Sequence, residues 1–76
     1  MRKEVDSINI KRFGNHIRFL RKSKGISMEK LAELTFVEYS QISRIELGQI
    51  NTSLDMVFKL ANAFNLPAKD LFNFET

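Results

Sequence analysis

The chain has 76 residues, a formal net charge of +3 and a sequence pI near 9.5, the size of a single small domain with a basic balance. It contains no cysteine, which excludes a disulfide framework and a thiolate metal site and fits a reducing cytoplasm. No run approaches the roughly 20 apolar residues of a membrane span, and Met1-Arg2-Lys3-Glu4 has no apolar stretch behind it, so neither a span nor a secretory leader is expected.

Residues 1–8 read as an N-terminal extension, and residues 9–74 as one domain. The first predicted helix covers residues 9–24, with Ile10, Phe13, Ile17 and Leu20 at helical spacing and Gly25 as the residue that ends it. Phe19 falls on the solvent side of that helix. Ser27 is the expected N-cap of a second helix, in which Leu31 and Leu34 face one side and Glu29, Lys30 and Glu33 the other. After a tight turn, Val37, Ile42 and Ile45 give a third helix a narrow buried stripe, leaving Tyr39, Ser40, Ser43 and Arg44 outside. Ala32 stands where the second and third helices cross closely.

Thr52 and Ser53 are candidate caps for a fourth helix with a stripe of Leu54, Val57, Phe58, Ala61 and Phe64. Leu66 and Pro67 stop it, and residues 68–72 read as a short fifth helix with Leu71 inward. No segment alternates with period two, and no repeat or linker interrupts the pattern, so the expected fold is all-α, a compact five-helix domain. Two helices of about nine residues are marginal alone and need the other elements to complete their core. Their arrangement, with the motif at residues 28–47, fits a helix-turn-helix whose second helix enters the DNA major groove.

The string Ile17-Arg18-Phe19-Leu20-Arg21-Lys22-Ser23-Lys24-Gly25-Ile26-Ser27, the pair Leu31-Ala32, the run Ile42-Ser43-Arg44-Ile45-Glu46, then Gly48, Asn51 and Ser53-Leu54 carry a resemblance. The chain resembles the Cro and phage-repressor (Xre-like) helix-turn-helix family from about Phe13 to Phe72. In length it is similar to restriction–modification controller proteins and to prophage regulators. The resemblance implies a λ-repressor-like domain that regulates transcription by binding a palindromic operator as a homodimer, with the recognition helix at about residues 38–47.

It also implies roles for individual residues. Base readout falls on Tyr39, Ser40, Ser43 and Arg44, with Glu38 at the helix entrance; Arg44 is the strongest candidate, because a guanidinium bonds bidentately to guanine O6 and N7. The phosphate clamp falls on Ser27 and Met28 and on Gln49, Ile50 and Asn51, where backbone N–H groups hold a phosphate without basic side chains. Arg21 and Glu46 correspond to a structural ion pair, a direct phosphate contact being the alternative for the arginine. Leu66, Leu71, Phe72 and Phe74 are the candidate dimer contacts.

Three positions depart from the family pattern. Met28 stands where the family usually has a glutamine that braces a phosphate or the recognition helix, a bond Met cannot donate. Phe36 replaces the turn glycine, so the turn is either strained or relaxed. Glu38 replaces a Ser, Thr or Asp; its carboxylate either caps the helix or reads cytosine N4.

Charge supports the same reading. Residues 1–24 hold eight of the twelve basic residues against two acidic ones, a balance of +6 that leaves −3 for the rest. This basic first helix, Lys22 included, would flank the groove and attract phosphates. Enzyme chemistry lacks an inventory: His16 is the sole histidine, the carboxylates are dispersed, and no glycine-rich phosphate loop or metal-ligand spacing occurs, so no catalysis, metal or cofactor is expected. The competing class is a protein-interaction module on the same fold, antitoxin-like or contacting the transcription machinery such as RNA polymerase, a reading that Met28, Phe36 and Glu38 favour.

Overall fold

The computed structural model describes the backbone of residues 3–74 and the side chains of residues 7–74. Four α-helices, α1 (Lys3–Ser23), α2 (Met28–Thr35), α3 (Tyr39–Glu46) and α4 (Leu54–Phe64), are followed by a 3₁₀ helix (Ala68–Phe72). The all-helical fold is the expected one. The fifth segment is a single tight 3₁₀ stretch, so the α-helices among the described residues number four. α1 begins at Lys3 rather than at residue 9 and takes in residues 3–8 of the segment read as an extension.

The helix ends follow local chemistry. Ser27 Oγ accepts from Lys30 N–H at 3.0 Å and Ser53 Oγ from Met56 N–H at 3.1 Å, so each caps its helix. Gly25 closes α1 at φ 69°, with Ile26 N–H donating to the Arg21 carbonyl at 3.0 Å. α2 and α4 end in the same way. Val37 N–H reaches the Ala32 carbonyl at 3.1 Å and Leu66 N–H reaches Ala61 at 2.9 Å, with the left-handed residue being Phe36 in one case and Asn65 in the other.

The core is one cluster in which Phe13 and Ile17 of α1, Leu31 and Ala32 of α2, Ile42 and Ile45 of α3, and Val57, Leu60 and Phe64 of α4 close over Leu71. Its stripe on α4 is not the expected one. Met56 and Leu60 are buried, whereas Leu54 is 72% and Phe58 56% exposed. Leu34 likewise lies toward solvent, and Thr35 takes the buried place beside Leu31, its hydroxyl satisfied by the Leu31 carbonyl at 2.7 Å.

α1 meets α3 at Gly14. A Cβ added there would collide with the carbonyl oxygens of Ile45 and Glu46, so the two backbones touch where only glycine fits. That contact, with the capped turn between α2 and α3, sets the angle at which α3 stands on the domain.

Candidate nucleic-acid interface

Arg21 and Glu46 join α1 to the end of α3. Arg21 Nε donates to Glu46 Oε2 at 2.6 Å and Nη2 to Oε1 at 3.1 Å, while Nη1 donates to the Ile26 carbonyl at 3.0 Å. Both residues are buried. A planar guanidinium spent on a bidentate carboxylate and a loop carbonyl is a structural tie, and it holds both α3 and the loop that precedes α2. The hydrogen bond from Arg21 to Glu46, with the attraction of that carboxylate, raises the arginine pKa above its ordinary range against the opposing effect of burial.

With α3 fixed at its C-terminal end, its outer face carries Tyr39, Ser40 and Arg44, all exposed, and Ser43, half-buried. Arg44 has no ion-pair partner among the described residues. Glu38 occupies the N-cap position of α3, but its side chain makes no capping bond. The capping alternative therefore drops away, and the exposed carboxylate at the helix entrance has no ion-pair partner among the described residues.

Met28 lies beside the start of α3. The Tyr39 hydroxyl donates to Met28 Sδ at 3.7 Å, so the sulfur accepts where an amide would have donated. This contact ties the first turn of α2 to the first turn of α3. Ser27, exposed, caps α2 as expected by accepting from the Lys30 N–H, and Met28 at the start of that turn lies beside Tyr39.

The loop after α3 is partly as expected. Gly48 turns it at φ 71°, packed on Lys11 of α1. The Gln49 N–H is already committed to the Arg44 carbonyl at 2.9 Å, so it is not free for an anion; Ile50 and Asn51 remain as the loop's backbone donors. Lys22, exposed near the end of α1, stands one residue from the buried Arg21.

Phe36 keeps the left-handed turn of the missing glycine, at φ 60° and ψ 39°, so the turn has not relaxed. Its ring is 89% exposed. A side chain in this region is disfavoured by about 1–2 kcal/mol. The Schellman-type bonds of Phe36 and Val37 hold the backbone there nonetheless.

The C-terminal contacts sort differently from the expectation. Leu71 is fully buried in the core and Leu66 is half-buried, so Leu71 packs within the chain and has no surface left for a partner. Phe72 tilts on Phe13 at 5.3 Å between ring centroids and stays half exposed. Phe74 leans on His16, whose Nε2 lies 2.9 Å from the Asp70 carbonyl, a boundary histidine that ties α1 to the 3₁₀ helix. Between α1, α4 and the C-terminal segment opens an apolar cleft of about 430 Å³, lined by Phe13, Thr52, Leu54, Phe72 and Phe74. Leu54 on its rim and Phe58 one turn along α4 extend it into an exposed apolar surface. Sequence periodicity missed this surface because it assigned both residues to the core.

No described helix is long and apolar enough to cross a membrane, and no group of metal-ligating side chains gathers among the described residues.

Residues 17–71 match the family model described as helix-turn-helix (HTH_3). The control protein C.BamHI of Bacillus amyloliquefaciens is 42% identical over 65 residues, covering 84% of this chain and 80% of that protein. An HTH-type transcriptional regulator of Archaeoglobus fulgidus is 37% identical over 59 residues, covering 78% of this chain and 84% of its own. Among solved structures, the restriction-modification controller protein C.AhdI from Aeromonas hydrophila superposes with a TM-score of 0.84 at 38% identity, covering 86% of this chain and 98% of that one. With its capped α2, its tight turn and an exposed α3 face, the chain belongs to the helix-turn-helix (HTH_3) family of transcription regulators.

Proposed function

We propose that the chain binds a palindromic operator as a homodimer, with α3 in the major groove, and regulates transcription by binding rather than by catalysis. The observation that carries this reading is the outer face of α3, where Arg44, without an ion-pair partner among the described residues, and the small polar Ser40 and Ser43 stand on a helix locked in place by Arg21 and Glu46. Arg44 reads a guanine through O6 and N7, and Tyr39, Ser40, Ser43 and Glu38 contact neighbouring base edges. The α2 N-terminus at Ser27 and Met28, with Ile50 and Asn51 across the groove, holds phosphates, and Lys22 adds charge.

A recognition helix with one arginine has modest affinity alone, and two copies on a two-fold axis place their α3 helices about 34 Å apart, one turn of duplex. The exposed surface of Leu54, Phe58 and Phe72 is where the copies meet. Controller proteins among the relatives, close to this chain in length, favour the same reading. Titrating a labelled operator duplex with the protein tests it. Occupancy should rise with the square of protein concentration in the range where the free protein is monomeric, and binding should weaken steeply with salt. First-order occupancy across that range would remove the dimer. Salt-insensitive or absent binding would favour the protein-interaction module, with a toxin or RNA polymerase as its partner.

A further inference from the structure

The fold does not account for Phe36. Its backbone lies in the left-handed region, at φ 60°, and its ring is 89% exposed, so no buried contact offsets the conformation. The turn itself asks for no aromatic: the same hydrogen-bonded turn closes α4 with Asn65, a residue type that tolerates φ above zero. Residues held in such regions concentrate at functional sites, where a partner supplies the return.

Its place in the motif narrows the partner. Phe36 is three residues before Tyr39, the first residue of α3, and three residues of chain span at most about 11 Å. Phe36 therefore stands within that reach of the helix which, in the reading above, enters a groove about 12 Å wide. Glu38 lies between them with an exposed, uncapped carboxylate, which opposes a close phosphate. An apolar ring next to a negative charge suits a base edge better than the sugar–phosphate backbone. The apolar group that the major groove offers is the thymine C5 methyl.

We propose that Phe36 is a specificity-determining residue, packing its ring on a thymine methyl beside the bases read by α3. The proposal rests on the DNA-binding reading above. It adds a base contact from the turn, ahead of the recognition helix.

The test pairs a protein variant with a DNA variant. The full chain is titrated on a duplex enriched from a random library, and on copies in which one thymine at a time is replaced by uracil, which removes the methyl and nothing else. For the wild type, uracil at one thymine of the half-site should weaken binding about fourfold, the worth of burying one methyl group. Phe36→Asn keeps the turn and removes the ring. It should bind the thymine duplex more weakly than the wild type, bind the uracil duplex no worse than the thymine one, and melt no lower. Equal affinity of wild type and variant for the thymine duplex would overturn the proposal and turn the ring toward a protein partner. An equal uracil penalty in both proteins would overturn it too. Failure of the wild type to enrich any duplex is a separate result, and it overturns the DNA-binding reading along with this one.

Discussion

Arg21 holds Glu46 through two parallel hydrogen bonds, at 2.6 and 3.1 Å, across 25 residues of sequence. The pair sits at the junction of α1, α3 and the loop before α2, so the orientation of the candidate reading face depends on a buried charge pair. Removing one partner leaves the other charge uncompensated. Arg21→Ala and Glu46→Ala should each lower stability by about 3–5 kcal/mol in urea unfolding. The double variant Arg21→Met with Glu46→Leu should recover much of that loss, because it removes both charges and fills the volume.

The pH behaviour of the arginine has a definite sign. Its pKa is raised in the folded chain, chiefly by the hydrogen bond with Glu46. A raised pKa on a basic group means that its stabilisation is complete below the ordinary arginine range and is lost only as pH climbs through the folded value, in strong alkali. Between about pH 6 and 9, Arg21 should therefore add no slope to the unfolding free energy. A loss of stability in that window that disappears in Arg21→Met with Glu46→Leu would contradict this.

Gly14 is predicted to be intolerant of a side chain, at a smaller cost than breaking the ion pair. Gly14→Ala places a Cβ against the Ile45 carbonyl and 2.8 Å from the Glu46 carbonyl oxygen, backbone atoms that cannot swing aside. In an exposed helix this change would help; here overpacking should cost about 1–3 kcal/mol and tilt α3 away from α1. Thermal unfolding reads the first effect, and amide chemical shifts along α3 read the second.

Phe36 offers the opposite sign. Phe36→Asn should raise stability by about 1 kcal/mol, since the turn persists and the left-handed penalty falls. Chemical denaturation measures it directly, and a destabilised variant would mean the ring packs on something in the free chain.

Arg44 and Lys22 should separate specificity from attraction. Arg44→Ala should cost about 1–3 kcal/mol on the operator and relax preference at one base pair per half-site. Lys22→Ala should weaken all duplexes alike and reduce the salt slope by about one. Competition titrations with single-base operator variants distinguish the two, and equal losses on every sequence for both variants would sink the assignment of Arg44.

The α4 surface predicts the assembly. Leu54→Asp combined with Phe58→Glu leaves the core intact, because both side chains are largely exposed. The variant should remain folded by circular dichroism and sediment as a monomer at concentrations where the wild type is dimeric. Its operator affinity should fall with the lost second half-site. A dimeric variant would move the interface elsewhere.

Much of this molecule is legible from spacing and caps. Ser27, Ser53 and Gly25 mark helix ends through side-chain and backbone chemistry that is local in sequence, and they are found where expected. The start of α1 is not legible. Residues 3–8 carry only Val5 and Ile8 as apolar residues, too short a pattern to separate a helix from an extension. On α4, apolar residues occur on more than one face. Periodicity alone could not tell that Met56 and Leu60 go inward while Leu54 and Phe58 face out. That choice is made by the other helices. At the site, residue types point to Arg44 and Ser40, but the commitment of the Gln49 N–H, the uncapped Glu38 and the sulfur under Tyr39 are products of turn geometry.

Whether α3 reads a DNA sequence is decided by selection of bound duplexes from a random DNA library at moderate salt. A palindrome should be enriched whose half-sites are centred about 10 base pairs apart, with a guanine in each half-site whose enrichment disappears in Arg44→Ala. Weak, salt-sensitive binding without enrichment of any sequence would contradict this prediction and leave α3 as a surface for a protein partner.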